Sequence, residues 1–339
     1  MRFLLYVPWF EKMGIECTIA PLFDDKQLAE RYRENRYGLS SLMRSYTRRL
    51  LLILQKRRFD LVWIEKEALP WFPAWLEHWL LCGVPYALDF DDAIFHNYDQ
   101  HPSLLVRRVF SKRIDKLMAG SQLVLAGNNY LAQRAREAGA PIVEIVQTVI
   151  DLERYSAKIV SNDNVDLARI VWIGSPSTAR YLELIHKPLL ELSRRFYFKL
   201  RVIGANAFAL QGVSVECVQW TEATEAASIQ ACDIGVMPLL DSPWERGKCG
   251  YKLIQYMACG LPVVASPVGV NCEIVSNGEN GYLAGTDRAW VDALGMLLRD
   301  SMLRQQMGSA GRRRVEADYC IQQVAPRMAG LLRTAGMGS

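Results

Sequence analysis

The sequence has few histidines, and its cysteines lack the spacing of metal centres. It has only four histidines in 339 residues, and they share no metal-like spacing with the cysteines. The eight cysteines form no C-x-x-C pair and stand at positions 17, 82, 217, 232, 249, 259, 272 and 320. This usage argues against a zinc site and favours reduced thiols in a cytoplasmic protein.

Long apolar runs and a strong excess of one charge are also lacking. The run at residues 3–7 is too short for the core of a signal peptide. Residues 71–81 are apolar but are interrupted by Pro73, Glu77 and His78, so they do not predict a membrane span. A net charge of +4, with 50% hydrophobic and 22% charged residues, is typical of a globular protein.

Basic residues nevertheless gather in two places. The two groups are Arg44, Arg48, Arg49, Lys56, Arg57 and Arg58, and then Arg107, Arg108, Lys112, Arg113 and Lys116. Groups of this kind are most often solvated helix faces, but an anionic membrane surface or a lipid-linked acceptor would also suit them. We expect no nucleic-acid partner.

Strand-like runs alternate with helical stretches along the chain, which predicts an α/β fold with parallel sheets. The chain is longer than the roughly 250–300 residues at which single cores stop growing, and the pattern restarts after the polar stretch 156–166. We therefore predict two Rossmann-like domains, at 1–155 and 156–318. Residues 319–339 form a terminal helix that can return toward the first domain.

The most informative stretch, residues 241–284, contains a charged loop, a helical pattern and a short apolar strand. Glycines at 247 and 250 alternate there with Glu245, Arg246, Lys248 and Lys252. A flexible backbone thus carries cations to the start of a helix, where amide N–H groups favour anions. The loop therefore predicts a phosphate site, although a solvated charged loop is the alternative.

A second loop, residues 266–271, follows the apolar strand predicted at 263–265. Open α/β sheets place their ligands at the carboxyl ends of the strands. The ligand candidates in and after this loop are Gly269, Val270, Asn271 and Glu273. Glu273 either caps the helix start that follows or faces the ligand.

These residues also carry a resemblance. The stretch resembles the donor-binding segment of the retaining GT-B glycosyltransferases of family 4, and YMACGLPVVASPVG matches the second half of that pattern closely. In the first half, the family's two glutamates would fall on Gly247 and Gln255, so Glu245 is a candidate substitute. An amide at 255 can still accept a hydrogen bond from a ribose hydroxyl.

The resemblance implies a GT-B architecture whose terminal helix crosses back to the N-terminal domain. It places donor contacts in the second domain and acceptor contacts in the first, and it implies retention of configuration without a metal or cofactor. A second phosphate contact would fall on WIGSPSTARYL, where Gly174, Ser175 and Thr178 offer backbone and hydroxyl donors. Gly204, which closes the next strand, is placed with them.

Carboxylates follow two strands of the first half. Asp89, Asp91 and Asp92 end one strand, and Glu65 and Glu67 end its neighbour, so all five are expected to line a cleft on the acceptor side. The D-x-D spacing suggests a divalent metal, as in GT-A enzymes, but any acidic turn produces it. Helix capping is one interpretation of the aspartates, and acceptor binding or general-base assistance, for which Asp91 is chosen, is the other.

We therefore predict a hexosyltransferase that moves a sugar from a nucleoside diphosphate to a glycan or lipid-linked acceptor in surface polysaccharide synthesis. Its location would be cytoplasmic or peripheral at the inner membrane face. The catalytic candidates are Glu245, Arg246, Lys248 and Asp91. The alternatives are another GT-B enzyme, such as a sugar-nucleotide epimerase, and a non-catalytic sugar-nucleotide-binding subunit.

The start of the chain contains a local conflict. Residues 3–7 look like a strand, but only 8–15 separate them from the next predicted strand at 17–22. A parallel crossover needs about a dozen residues or more. We therefore predict that residues 3–13 are helical despite Pro8, and that the family's usual opening strand and loop are absent from this chain.

Overall fold

The computed structural model describes residues 2–25, 27, 38–157 and 167–337. The chain divides into two compact units. Unit 1 contains Met1–Gln147 and Ala325–Ser339, and unit 2 is Thr148–Val324. Most of the predicted linker, residues 158–166, lies outside the described residues.

Unit 1 is built on a parallel sheet with the strand order β1-β2-β3-β4. The strands are β1 (Val62–Glu65), β2 (Tyr86–Phe90), β3 (Leu123–Ala126) and β4 (Val143–Ile145). All residues of β2 and β3 are buried, as expected for parallel strands covered on both faces. Its helices before unit 2 are α1 (Arg2–Lys12), α2 (Leu39–Leu54), α3 (Ala74–Leu81), α4 (His96–Asp99), α5 (Leu104–Phe110), α6 (Arg113–Ala119) and α7 (Asn129–Glu137).

Unit 2 is built on a six-stranded parallel sheet with the order β10-β9-β8-β5-β6-β7. Its strands are β5 (Ala168–Ile173), β6 (Phe198–Ile203), β7 (Val215–Val218), β8 (Ile234–Met237), β9 (Val263–Ala265) and β10 (Gly281–Leu283). A 3-10 helix, Pro176–Ile185, follows β5. The α-helices are α8 (His186–Ser193), α9 (Glu225–Gln230), α10 (Pro243–Arg246), α11 (Tyr251–Ala258), α12 (Asn271–Ile274), α13 (Asp287–Arg299) and α14 (Ser301–Asp318).

The last helix, α15 (Ile321–Met337), begins in unit 2, and its residues from Ala325 onward group with unit 1. Within unit 1, Arg327 pairs with Glu144 at 2.7 Å and donates to the carbonyl of Ile145 at 3.1 Å. These contacts attach the helix to the end of β4.

The prediction of a helix at the chain start is confirmed, because α1 covers Arg2–Lys12 with Pro8 inside it. The strand predicted at 17–22 is wrong. Those residues have no regular structure, and Arg48 and Arg49 of α2 donate hydrogen bonds to the carbonyls of residues 20–22. Guanidinium groups thus satisfy carbonyls that a sheet ladder would otherwise pair.

The sequence pattern predicts one helix at about 103–118 and another at 181–195, and the structure divides the helical structure in each region. The basic helix expected at 103–118 is two helices, α5 and α6, which are separated near Ser111 and Lys112. The helix expected at 181–195 begins earlier, as the 3-10 helix Pro176–Ile185, and becomes α-helical at His186. Periodicity indicates the presence of helical structure but does not locate a change of helix type within it.

Helix α1 is joined to the sheet of unit 1 by a buried ion pair. The Nε of Arg2 lies 3.1 Å from Oδ2 of Asp89 on β2, and its Nη2 donates to the carbonyl of Val146 at 2.7 Å. Burial raises the pKa of the Asp89 carboxyl to about 6, and the Arg2 guanidinium opposes that shift. Arg2 thus ties the first helix to β2 and to the residue that follows β4.

We predict that Arg2→Leu lowers the free energy of unfolding by about 3–5 kcal/mol, because it leaves a buried carboxylate without its partner. Urea unfolding would measure the loss. Lys12→Leu, an exposed change on the same helix, is the matched control and should cost less than about 0.5 kcal/mol. The double variant Arg2→Leu/Asp89→Leu should recover most of the stability, and a double variant as weak as the single one would contradict this account.

Candidate functional site

The strand order of unit 2 reverses direction between β5 and β8. From β5 the sheet continues through β6 and β7 on one side, and through β8, β9 and β10 on the other. In open α/β sheets, ligands bind outside the carboxyl ends of the strands at such a switch point. The loops after β5 and β8 therefore define a candidate site, and the loop after β9 lies beside it.

Glu245 joins the first two of these loops. It lies on α10 after β8 and is 6% exposed, and its two carboxylate oxygens accept hydrogen bonds from the hydroxyls of Tyr181 and Ser242. Tyr181 belongs to the 3-10 helix after β5. Burial tends to raise the pKa of this carboxyl, but the two hydroxyl donors, a backbone hydrogen bond and the charge of Lys248 together hold the pKa below its usual value. Glu245 is therefore buried and ionised, and it connects the loop after β5 to the loop after β8.

The loop after β9 is joined to the loop after β8 by a side-chain hydrogen bond and by a close backbone approach. The Oγ of Ser266 accepts a hydrogen bond from the N–H of Leu239 at 2.9 Å. Gly269 has a φ of +53°, and a Cβ on it would lie 2.9 Å from the carbonyl oxygen of Arg246. Only glycine permits this conformation and this approach. All three loops are thus held together at the carboxyl edge of the sheet.

The positive charge of the candidate site comes from lysine side chains and from the N-terminus of a helix. Helix α11 begins at Gly250, which has a φ of +67° and brings no side-chain cap to the first turn. Lys248 lies just before it, and Lys252 places its Nζ 5.3 Å from the ring centroid of Trp172 at the end of β5. Cationic side chains and first-turn amides at one helix N-terminus favour a phosphate group.

Arg246 is placed differently from the lysines. Its guanidinium makes a two-pronged pair with the carboxylate of Asp241, with distances of 2.6 and 3.0 Å, and both side chains are about half exposed. The predicted phosphate contact from Arg246 therefore competes with an acidic partner in its own loop.

Two glycines predicted to face the donor use their amides inside the sheet. The N–H of Gly174 donates to the carbonyl of Ile203 at 3.0 Å, and the N–H of Gly204 donates to that of Val218 at 2.9 Å. The expectation of a backbone donor at Gly174 is therefore wrong. Ser175 and Thr178 remain at the exposed turn, where their hydroxyls contact each other at 3.1 Å.

Gln255, the residue at the position of the family's second glutamate, lies inside unit 2. It is 2% exposed, and its Nε2 donates to the hydroxyl of Tyr155 at 3.0 Å. Tyr155 in turn donates to Glu225, which also accepts from the indole of Trp220 at 2.5 Å. The expectation that Gln255 meets a ribose is wrong for this arrangement, because its side chain is buried in a polar network.

The residues predicted after β9 divide into buried and exposed ones. Val270 and Asn271 are buried, and the Asn271 amide donates to the carbonyl of Ser266 at 3.0 Å. Its Oδ1 is buried without a hydrogen-bond partner among the described residues. Glu273 is exposed on α12. Asn271 therefore supports the loop from beneath, whereas Glu273 faces solvent.

Two of the acidic side chains expected at the acceptor side are used inside unit 1. Asp89 is 1% exposed and is paired with Arg2. Glu67 accepts from Tyr98 at 2.8 Å and pairs with the buried Arg113, which also holds Glu77 at 2.5 Å. The expectation that Asp89 lines a cleft is therefore wrong, because a buried acid needs such a partner. Glu67 is only partly buried, and its place on the acceptor side stays a prediction.

The other acidic side chains of that group lie closer to solvent. Lys66 has a φ of +64° and places its Nζ 2.9 Å from Asp91 and 3.5 Å from Asp92. Glu65 is exposed. The ammonium group of Lys66 thus supplies, between these two aspartates, the positive charge that a bound metal ion would otherwise supply.

Sequence reasoning missed the residues that assemble the loops. Tyr181, Ser242 and Ser266 each hold a loop through one hydroxyl, and their partners lie 64, 3 and 27 positions away. Only Ser242 has a local signal, since Ser-x-x-Glu is the spacing of a capping box at a helix start.

The fold assigns the chain to a class of proteins. It superposes on a glycosyltransferase from Rickettsia africae with a TM-score of 0.69 at 12% identity, over 99% of this chain and 94% of that one. A structure of Anabaena HepE in complex with UDP and glucose gives 0.67 at 15% identity, over 96% and 88%. The chain therefore has the fold of the GT-B glycosyltransferases, which confirms the fold expected from the sequence.

Sequence comparison gives a family match within this class of proteins. Residues 168–300 match the family "Glycosyl transferases group 1", which confirms the resemblance for unit 2. A phosphatidyl-myo-inositol mannosyltransferase of Mycobacterium leprae is 35% identical over 27% of this chain. A D-inositol 3-phosphate glycosyltransferase of Pseudarthrobacter chlorophenolicus is 32% identical over 37%. These matches span only 24% and 29% of the two relatives' own lengths.

We predict that Tyr181→Phe lowers the free energy of unfolding by about 1–3 kcal/mol, because a buried carboxylate loses one of its two hydroxyl donors. The same loss should raise the pKa of Glu245. Urea unfolding tests the first effect, and Tyr197→Phe, at a side chain that is 86% exposed, is the matched control. Equal stability of the two variants would show that the contact does not brace the loops.

Proposed function

We propose that this chain transfers a sugar from a nucleoside diphosphate to a glycan or lipid-linked acceptor. In this proposal the donor's diphosphate binds at the switch point of unit 2. The observation that carries the proposal is the joining of three strand-end loops around the N-terminus of α11, with Lys248 and Lys252 beside it. Retention of configuration and a role in surface polysaccharide synthesis are further parts of the proposal, and both come from the family resemblance.

The chemistry of transfer suits this arrangement. When the bond between the sugar and the diphosphate breaks, negative charge develops on the leaving phosphate. Fixed cations and oriented amides lower the energy of that charge, and mutation of a single such donor commonly costs several kcal/mol of barrier. Lys248 is the residue proposed to supply this charge stabilisation, and Lys252 and the amides of α11 orient the phosphates.

Glu245 takes a positioning role in the proposal. Its side chain is buried and both carboxylate oxygens are hydrogen-bonded to hydroxyls within unit 2, so the proposal assigns it no contact with the reacting atoms. It instead fixes the start of the loop that carries Lys248, whose N–H donates to the carbonyl of Glu245 at 3.1 Å. The catalytic role expected for Glu245 is therefore replaced by one of support.

The names of the similar proteins are consistent with a nucleoside diphosphate sugar as the donor. The Anabaena HepE structures hold UDP or UDP-glucose, and several relatives with short matches are described as glycosyltransferases. A non-catalytic sugar-nucleotide-binding subunit is the second candidate, and it is favoured by the burial of Gln255 where the family carries a glutamate. The assignment of acceptor contacts to unit 1, chiefly Glu65, Asp91 and Asp92, stays a prediction.

The test has a binding arm and a turnover arm. Nucleoside diphosphates and their sugars are screened for thermal stabilisation, and a true donor at 100 times its dissociation constant adds about 2.7 kcal/mol. Release of the diphosphate is then measured with and without glycan or lipid-linked acceptors. Stabilisation without turnover would favour the binding subunit, and neither effect with any nucleotide would contradict the proposal.

We predict that Lys248→Ala lowers kcat/KM by roughly 10- to 150-fold, because it removes a charge-assisted contact worth about 1.5–3 kcal/mol. The melting temperature should hardly change. Lys187→Ala, an exposed lysine on α8, is the matched control and should keep full activity. Unchanged kinetics in Lys248→Ala would remove this loop from the active site.

We also predict that activity persists in excess EDTA, because lysines and helix amides supply the positive charge that a metal would otherwise bring. Turnover is compared before and after chelation. Loss of activity with rescue by Mn²⁺ or Mg²⁺ would contradict the prediction and would make Asp91 and Asp92 the first candidates for metal ligands. The control is the melting temperature in EDTA, which separates loss of a metal from loss of the fold.

A further inference from the structure

Unit 1 exposes a group of large apolar side chains on two neighbouring segments. We call this group the tryptophan surface, and it consists of Trp71, Trp75, Trp79, Leu104, Leu105 and Val109, which are between 51% and 75% exposed. A single exposed apolar residue needs no explanation, but a gathered set of this size, three of them tryptophans, marks an interaction site.

The exposure of the tryptophans follows from the way α3 is fixed. Its inner face carries Glu77, whose carboxylate pairs with Arg113 of α6 and accepts from the N–H of Ala68 at 2.8 Å. Because Glu77 is fully buried, the residues on the opposite side of the helix face outward. Trp75 and Trp79 are four positions apart on that side. A buried ion pair thus sets the direction of both indoles.

Trp71 connects α3 to the apolar residues of α5. Its ring centroid lies 6.3 Å from that of Phe110 and 5.9 Å from that of His101. Phe110 is the last residue of α5, which also carries Leu104, Leu105 and Val109. The loop before α3 and helix α5 are therefore in contact, and the exposed side chains on both belong to one region of unit 1.

The chain around this surface carries positive charge without acidic residues. Residues 101–112 contain three Lys or Arg and no Asp or Glu, and residues 38–58 contain six Lys or Arg and no Asp or Glu. Helix α2, which holds most of the second set, adjoins α3: the Tyr46 hydroxyl donates to the carbonyl of Pro70 at 2.9 Å, and Lys56 donates to that of Leu80. The exposed basic residues here include Arg44, Arg57 and Arg108.

We propose that the tryptophan surface docks unit 1 onto an anionic lipid bilayer. Indole rings suit the boundary between headgroups and acyl chains, since each has a large apolar body and one polar N–H group. Arginines around them complement the negative charge of the lipid surface. No helix in the described parts of the chain is both long and apolar enough to cross a bilayer, so the contact is peripheral.

Vesicle flotation with the full chain tests this docking independently of donor binding. The probes are phosphatidylcholine vesicles with and without added phosphatidylglycerol. We expect wild-type protein to float with the anionic vesicles and to be released by high salt. Trp75→Ser/Trp79→Ser should weaken that partitioning at least about tenfold, because two large apolar groups return to water. Arg44→Ala/Arg108→Ala should weaken it by roughly fivefold per arginine, and only on anionic vesicles.

The matched control is Tyr197→Ser/Met302→Ser, which removes two exposed apolar side chains from unit 2 and should float like wild type. All variants should keep the wild-type melting temperature and its shift with nucleotide, which separates a docking defect from a folding or donor-binding defect. Failure of wild type to float, or unchanged flotation of the tryptophan variant, would overturn the proposal. A dimer in sedimentation that the tryptophan variant dissociates would assign the surface to a second copy and would overturn it as well.

Discussion

The hydrogen bonds to the Glu245 carboxylate are the contacts on which the candidate site of unit 2 depends. Strands β5 and β8 are neighbours in the sheet but are far apart in the chain, so no covalent connection fixes the distance between the loops that follow them. A buried carboxylate must find donors or lose several kcal/mol. Glu245 finds one on each side of the switch point, in Tyr181 and Ser242. The need to satisfy one acid therefore sets the geometry that a ligand would meet.

Unit 1 uses the same chemistry for a different end. Asp89 draws Arg2 and helix α1 onto β2, and Glu77 draws Arg113 and helix α6 onto α3. In each case removal of one partner would leave a charge without compensation in the interior. Buried acids in unit 1 thus hold a helix onto the sheet or onto another helix, whereas Glu65 faces solvent. A buried acid differs from a solvent-facing acid in that a cation from a distant segment pairs with it.

This explains which parts of the chain could be predicted from the sequence. The strand Val263–Ala265 has the predicted bounds, because a parallel strand buried on both faces is a continuous apolar run. Arg2, the partner of Asp89, lies 87 positions away, and Tyr181, the distant partner of Glu245, lies 64 positions away. No local sequence pattern encodes such a pairing. Sequence analysis therefore assigns Asp89 and Glu245 to a ligand site, although in the fold their carboxylates bind partners in the protein interior.

The amide at position 255 shows how such a network restricts the sequence. The Tyr155 hydroxyl has one proton, and it donates that proton to Glu225. The group at 255 must therefore donate to Tyr155, which the amide of Gln255 does at 3.0 Å. A glutamate here, as the family pattern has it, would offer only acceptors and would add a second buried negative charge near Glu225. A neutral amide therefore suits this interior better than a glutamate, because it donates to Tyr155 and adds no negative charge near Glu225.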